Sequence, residues 1–536
     1  MASSRIFFTC VALSLGLLPA CGDDVTSATD DADDTSTETG EMPIVLGGPA
    51  QGISIVGIEA NQGTGVQIFA DGAWVGADQR NAYLIRDRDT LIRVAHVIDD
   101  PGAWLPRNIT AFLHILPGDG SPEIVQQQQL FIDADSELRD LLSGFYFGIT
   151  QEAAVPGTQI WLELRESDDS IDVSAMAEGV PTLDPLQVGY QDVELQMKVM
   201  IVPVLYEHYD PPTLVELTDA EMKLFHDDLL QQNPAQTIDI QVRDEPLVRS
   251  QQLTDLGDLL GPTRGLRIQD GAAPNVYYHA MIDVRGSGVN MVAGIAWLTG
   301  PSKQDGDSRV AATVFNRPSS PPSEEGGEPT YFPPSESART WVHEIGHNQG
   351  LQHVACPNGG AAGPDPGYPY EEGKIGVYGF GIRNYQLFSP LHAHDYMSYC
   401  GNSWVSDWTW NKTYNRIQTL TSWDFEAPEP PGPRGPTLVG FVFANGHQSW
   451  WSYENDRLPD SRGAQQLEFW AGDQLLAVEY AHVGLLSEGQ GIVIAAPMPA
   501  VAPGVIDAVV RIDEEGRRLP VAVNSIEGKA SVLSGR

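Results

Sequence analysis

Positive charge, cysteine and long apolar stretches are all scarce in this sequence. Its 536 residues hold 31 Lys and Arg against 72 Asp and Glu, a formal net charge of −41. A surface this acidic repels nucleic acid and anionic lipid head groups, which argues against both as partners. The same acidity keeps a secreted protein soluble. Beyond the N-terminus no stretch is apolar enough to span a bilayer, so the body is expected to stand in water. What the chain does have is length, enough for two to four domains with cores of their own.

Residues 1–20 carry Arg5, an apolar run from Ile6 to Leu18, and then Leu18-Pro19-Ala20-Cys21. That run is short for a membrane span and right for a signal peptide. A small residue followed by cysteine resembles the bacterial lipoprotein cleavage box. On that reading Cys21 becomes the mature N-terminus, carries the lipid and provides the only membrane contact. The protein then sits in the bacterial cell envelope, facing periplasm or exterior. Ordinary cleavage near Ala20, giving a secreted protein, is the alternative. Residues 21–48 are rich in Asp, Ser, Thr and Glu and cannot bury enough surface to fold, so they read as a flexible spacer.

The stretch around which the rest is organised runs from Ser335 to His353, SESARTWVHEIGHNQGLQH. Ala338, Trp341, Val342 and Ile345 recur at helical spacing and give the helix a buried side. Pro333 and Pro334 precede it, and Ser335 or Ser337 is expected to cap its first turn. His343 and His347, four apart, lie on one helix face and can offer imidazoles to one metal ion. Glu344 can reach a water on that metal without being a ligand. Gly350 permits a positive φ and a sharp turn, which brings His353 back as a third nitrogen ligand. Three protein ligands leave a position open for water, as in a catalytic zinc site.

His343, Glu344, His347, Gly350 and His353 form HExxHxxGxxH, the motif of the metzincin zinc endopeptidases, and the chain resembles that group. The stretch His394-Asp395-Tyr396-Met397-Ser398-Tyr399-Cys400 looks like the group's second mark, a turn whose methionine, here Met397, floors the metal site. The resemblance also implies a role for Tyr399, two residues on, in touching the zinc and stabilising an oxyanion; an ordinary core tyrosine is the other reading. His392 and His394 read as hydrogen-bonding or surface groups. The closest likeness is to large secreted bacterial metzincins that cleave mucin-type glycoproteins. It rests on HEIGHNQGLQH and a β domain ahead of the catalytic part.

Of the 4 cysteines, Cys10 leaves with the signal and Cys21 takes the lipid. Cys356 and Cys400 remain, an even pair in an oxidising compartment. A bridge between them would join the loop after His353 to the Met397 turn; two free thiols are the alternative.

The expected fold class is an α+β metzincin catalytic domain, a mixed twisted sheet with helices, flanked by all-β sandwiches. Residues 49–192 read as the first sandwich, with strands at Ile53 to Val56, Val66 to Phe69, Thr90 to Val94, Thr110 to Ile115 and Gln159 to Leu164. Residues 193–425 read as the catalytic domain. Its apolar run Met197 to Tyr206 suits a strand buried on both faces. A helix is expected at Asp219 to Gln232, and strands at Thr237 to Val242, Asn275 to Val284 and Val292 to Leu298. In metzincins the sheet's edge strand lies beside the cleft and pairs with an extended substrate; Gly294 to Trp297 or Arg309 to Phe315 could be that edge. Residues 357–381 are rich in Gly and Pro and read as loop, whose Asp365, Glu371 and Glu372 are either solvated acids or a structural Ca2+ site. A helix is expected at Trp404 to Ile417. Residues 426–436 read as a Pro-rich linker, and 437–536 as a second sandwich with strands at Leu438 to Phe443, Gln466 to Trp470 and Val505 to Ile512.

Together these readings imply a monomeric, lipid-anchored enzyme with one catalytic Zn2+ that hydrolyses extended polypeptide or glycoprotein substrates. Glu344 serves as its general base. A surface adhesin with a vestigial zinc site is the rival, and an intact Glu344 argues against it.

Overall fold

The computed structural model describes residues 47–168, 170–284, 292–315, 333–357, 359–360, 363–426, 434–444, 446–458, 462–487, 491–502, 504–521 and 526–527. The stretch read as a signal peptide, Cys21, the acidic stretch up to residue 46 and most of the Pro-rich stretch lie outside the described residues. The architecture is mainly β, in several sheets with a sandwich-like, multi-domain layout. Among the described residues no helix is long and apolar enough to cross a membrane.

Two antiparallel sheets open the chain. One contains Ile53–Asn61, Gly65–Ala70, Thr90–Ile98 and Phe145–Ile149; the other contains Arg107–Leu116, Ile124–Ile132, Gln159–Glu166 and Thr182–Gln187. Burial alternates strictly along Phe145–Ile149 and Gln159–Glu166, as a half-buried sheet requires. Ile109, Ala111, Leu113 and Ile115 of one sheet are buried in the same cluster as Ile58, Ile92, Val94 and Phe147 of the other. All five strands expected here are present. Ile124–Ile132 (IVQQQQLFI) was not expected, because its four glutamines hide any apolar alternation. It is the outer strand of its sheet, paired only with Arg107–Leu116, so it needs little apolar surface.

The middle of the chain forms a mixed sheet. Thr237–Val242, Gln196–Tyr206, Val276–Asp283 and Val310–Phe315 lie side by side and parallel. Gly294–Ala296 adds an antiparallel edge beside Val310–Phe315. Of the two candidates, the edge is therefore Gly294–Ala296, and Val310–Phe315 is interior. Val276–Asp283, Val310–Phe315 and the second half of Gln196–Tyr206 are buried on both faces, which suits the apolar run there.

One face is covered by helices α1 (Asp219–Gln232) and α3 (Pro334–Asn348). Phe225 of α1 meets Trp341 of α3 with ring centroids 5.1 Å apart. Thr218 and Glu221 form a capping box at the start of α1, and that boundary matches the expected one. At α3 the expectation fails: neither Ser335 nor Ser337 is the cap. Pro333 is extended and Pro334 opens the helix, a position where its missing N–H costs nothing. Ser337 lies inside α3 and donates to Val314 O at 3.2 Å, tying helix to sheet.

The other face is covered by α2 (Leu260–Gln269) and by a sheet of the C-terminal region. That region also has two sheets, built around Gly435–Phe443, Gln448–Asp456 and Gly491–Pro497 in one and Gln466–Ala471 and Ala508–Ile512 in the other. Its first strand begins at Gly435, inside the stretch read as linker. Val439, Phe441, Phe443, Trp451 and Val493 share one apolar cluster with Val204, Ala280, Ile282 and Val314 of the central sheet. Each side chain of this size contributes roughly 1.5–3 kcal/mol when buried. Arg264 of α2 and Asp456 form an ion pair of 2.7 Å within the same contact, with both side chains 0% exposed.

The last helix, α4 (Asp407–Ser422), starts later than its expected residue Trp404. Ser403–Trp404 instead pairs with His394–Asp395, and Ser406 caps the helix by accepting from Thr409 N at 3.1 Å.

Candidate metal centre

Helix α3 places His343 and His347 one turn apart on one face. It ends at Asn348. Gly350 then takes φ +89°, and a Cβ there would lie 2.6 Å from Arg416 Nη2. The positive φ is what favours glycine here. The chain turns back and delivers His353, whose backbone is fixed on both sides. Asp365 N donates to His353 O at 2.8 Å, and Val354 N donates to Met397 O at 2.9 Å.

The three imidazoles converge. His347 Nε2 lies 3.1 Å from His343 Nε2 and 3.2 Å from His353 Nε2, and all three rings are buried. Ligands on a tetrahedral ion with bonds of about 2.0–2.1 Å sit about 3.3 Å from one another. The proton arrangement points the same way. His343 Nδ1 faces Tyr396 O at 2.8 Å, and His347 Nδ1 faces Leu351 O at 2.7 Å. A carbonyl can only accept, so both Nδ1 atoms carry their ring's proton. The Nε2 atoms of His343 and His347 then face each other at 3.1 Å. A cation between them would be held by both, and the carbonyls would be the outer partners that orient metal-binding histidines. His343, His347 and His353 thus form a group that could hold a metal ion.

The floor is built by the segment after the Gly/Pro loop. Met397 is buried, and its Sδ would lie 2.5 Å from a Cβ at Gly346, so the glycine lets the thioether rest on the α3 backbone between the two helical histidines. Asp395 pins this turn to the start of α4. It accepts from Met397 N at 2.9 Å, Ser406 N at 3.2 Å and Thr409 Oγ1 at 2.6 Å. Cys356 and Cys400 are disulfide-bonded, with Cα atoms 6.2 Å apart. The bridge joins the segment after His353 to the one after Met397, as expected.

Tyr399 places its hydroxyl 3.0 Å from His353 Nε2 and is 40% exposed, so the cluster borders on solvent. Glu344 is buried, with Oε1 2.5 Å from where a Cβ of Gly294 would be. The Glu344 side chain therefore lies against the edge strand, where Gly294 leaves room for it. Asn348 closes the other end of α3 onto the same edge, donating to Trp297 O at 2.8 Å and Val310 O at 3.0 Å.

The remaining candidates lie apart from this cluster. His392 is exposed, and His394 hydrogen-bonds Gly401 O and Lys374 Nζ at 2.9 Å each. Asp365, read as a possible calcium ligand, pairs with Lys412 Nζ at 2.7 Å, while Glu371 and Glu372 are exposed. The carbonyls of Tyr396 and Leu351 left no trace in the sequence, because any residue supplies one. Ser487 was also missed. Its Oγ is 3.4 Å from Glu344 Oε2, although it lies 143 positions away in a stretch without a motif.

No family model matches the chain, and no curated protein does. Among solved structures, one from Bacteroides fragilis, described only provisionally as a beta-galactosidase, matches at 9% identity with a TM-score of 0.13. That match covers 83% of this chain and 72% of the other. A likeness at that TM-score supports no inference about fold or activity.

Proposed function

We propose that this protein is a zinc endopeptidase of metzincin type, acting on extended polypeptides or glycoproteins outside the cytoplasm. The observation that carries the proposal is the convergence of the Nε2 atoms of His343, His347 and His353, with Glu344, the residue after His343, buried as well. The mixed sheet with its antiparallel edge, the Met397 turn and the return of the chain at Gly350 agree with it.

The three histidines would hold the ion. Bound there, zinc would supply Lewis-acid chemistry towards a scissile carbonyl and acidify the attacking water. Glu344 takes up the proton of the attacking water and delivers it to the leaving amine. Its burial keeps the carboxylate in one place and away from competing solvent. The Tyr399 hydroxyl, at the exposed rim of the cluster, donates to the oxyanion that develops on the carbonyl oxygen. Tyr396 O and Leu351 O hold the His343 and His347 rings in the orientation that turns Nε2 towards the cluster. The lipid at Cys21 and the acidic spacer would tether this domain to the cell envelope.

The test is direct. The full chain is expected to bind one equivalent of zinc and to digest casein or mucin, with a chelator abolishing digestion. Zinc binding without any cleavage would instead fit a surface-binding lipoprotein with a vestigial site.

A further inference from the structure

The edge strand beside Glu344 is not bare. The chain of the C-terminal region runs antiparallel along it, bridging Trp297 and Leu486. Leu298 N donates to Leu485 O at 3.1 Å, and Ala296 N donates to Ser487 Oγ at 2.8 Å. Both N–H groups point away from Val310–Phe315 and would be the free donors of an open edge. A substrate strand therefore cannot take up the ladder positions at Ala296 and Leu298.

The same contact reaches the chemistry. The Ala296 amide can only donate, so Ser487 Oγ accepts there and keeps its own proton to give away. Glu344 Oε2, at 3.4 Å, lies in reach of that proton. Gly294 confines the carboxylate from the sheet side and Ser487 from the C-terminal side. A buried carboxylate needs such donors, and a fixed one delivers protons along a fixed line.

The segment is also firmly held. Leu486 is buried in one cluster with Trp297, Ile295, Phe441 and Val493. Gly484 passes so close to the Trp297 indole that a Cβ there would sit 2.8 Å from its Nε1. Displacing the segment would expose that core, so it reads as a permanent wall and not as a removable plug.

The geometry points to Ser487 as a positioning residue for the base Glu344, which makes the C-terminal region a structural part of the active site. This rests on the endopeptidase reading. The test compares full-length wild type with S487A on a fluorogenic peptide, alongside zinc content and Tm. In metal-free protein, amide exchange over Gly294–Leu298 is followed as well. Loss of one hydrogen bond to a charged group is expected to lower kcat about tenfold, with KM within about twofold. Zinc content and Tm should hold, and exchange at the edge should quicken. An unchanged kcat would overturn the assignment, and a raised kcat would show the segment to be an inhibitor. A collapse of Tm or zinc content would show Ser487 to be a fold residue only. If wild type itself cleaves nothing, the endopeptidase reading fails. Unchanged exchange would then refute the Ser487 contact separately.

Discussion

The two faces of the central sheet are covered by different kinds of structure. On one, helix α3 and the turn after it hold three buried histidines and a buried carboxylate, with α1 packed beside α3. On the other, α2 and the C-terminal sheet bury an apolar layer of Val439, Phe441, Phe443 and Trp451 against Val204, Ala280 and Ile282. The first face adds a polar cluster to its apolar layer of Phe225, Trp341, Val342 and Ile345; the second is mainly apolar. Ser487 crosses that division, since a residue from the C-terminal side touches Glu344.

If the division is sound, damage to the second face should cost stability and leave the metal centre intact. Phe441→Ala removes a fully buried ring, and about 3–5 kcal/mol of unfolding free energy should go with it. Zinc stoichiometry at 25 °C, measured on the folded fraction, should stay at one. Denaturant titration with metal analysis checks both, and loss of zinc from folded protein would break the comparison.

The disulfide belongs to the first face. Cys356 and Cys400 are 44 positions apart, and closing such a loop contributes up to about 4 kcal/mol in the chain-entropy model. Replacing both cysteines with serine should therefore lower Tm. Because the bridge ties the segment after His353 to the Met397 turn, zinc affinity should weaken too. That paired loss of stability and affinity is what should distinguish this variant from Phe441→Ala.

Near neutrality the smallest effect concerns pH. His279 lies beneath α3, with Nε2 2.7 Å from Thr313 Oγ1, and burial pushes its pKa down to about 3 from its ordinary 6.5. A depressed pKa means the fold holds the neutral ring. The associated stability is full above pH 6.5 and drains away as pH falls from 6.5 towards 3. Tm should decline across that window, and His279→Gln should flatten the decline without touching zinc binding near neutrality. An unaltered slope in the variant would remove His279 from the account.

How much of this could be read from residues alone follows from where each signal comes from. The ligand helix was legible because metal ligation fixes residue type and spacing together, and α1 because its capping box and apolar face agree. Helix α2 was not, since Gly261, Pro262 and Gly265 argue against a helix. The structure explains Gly261: a Cβ there would lie 2.3 Å from the Trp451 ring, so the packing of a distant sheet overrides local propensity. The cap of α3 was misread because serine is the commoner cap, while the paired prolines set the boundary by backbone geometry instead. The edge contact was out of reach for another reason. Main-chain pairing between residues nearly two hundred positions apart leaves no pattern in either segment.

The central claim is that three imidazoles and one carboxylate make a hydrolytic centre, and Glu344→Gln tests it most directly. The substitution keeps size and removes the base. Purified in parallel with wild type, the variant should carry the same single zinc and the same Tm while casein cleavage drops by at least about a hundredfold. Cleavage that persists at the wild-type rate, or a wild type that binds no zinc at all, would contradict the account.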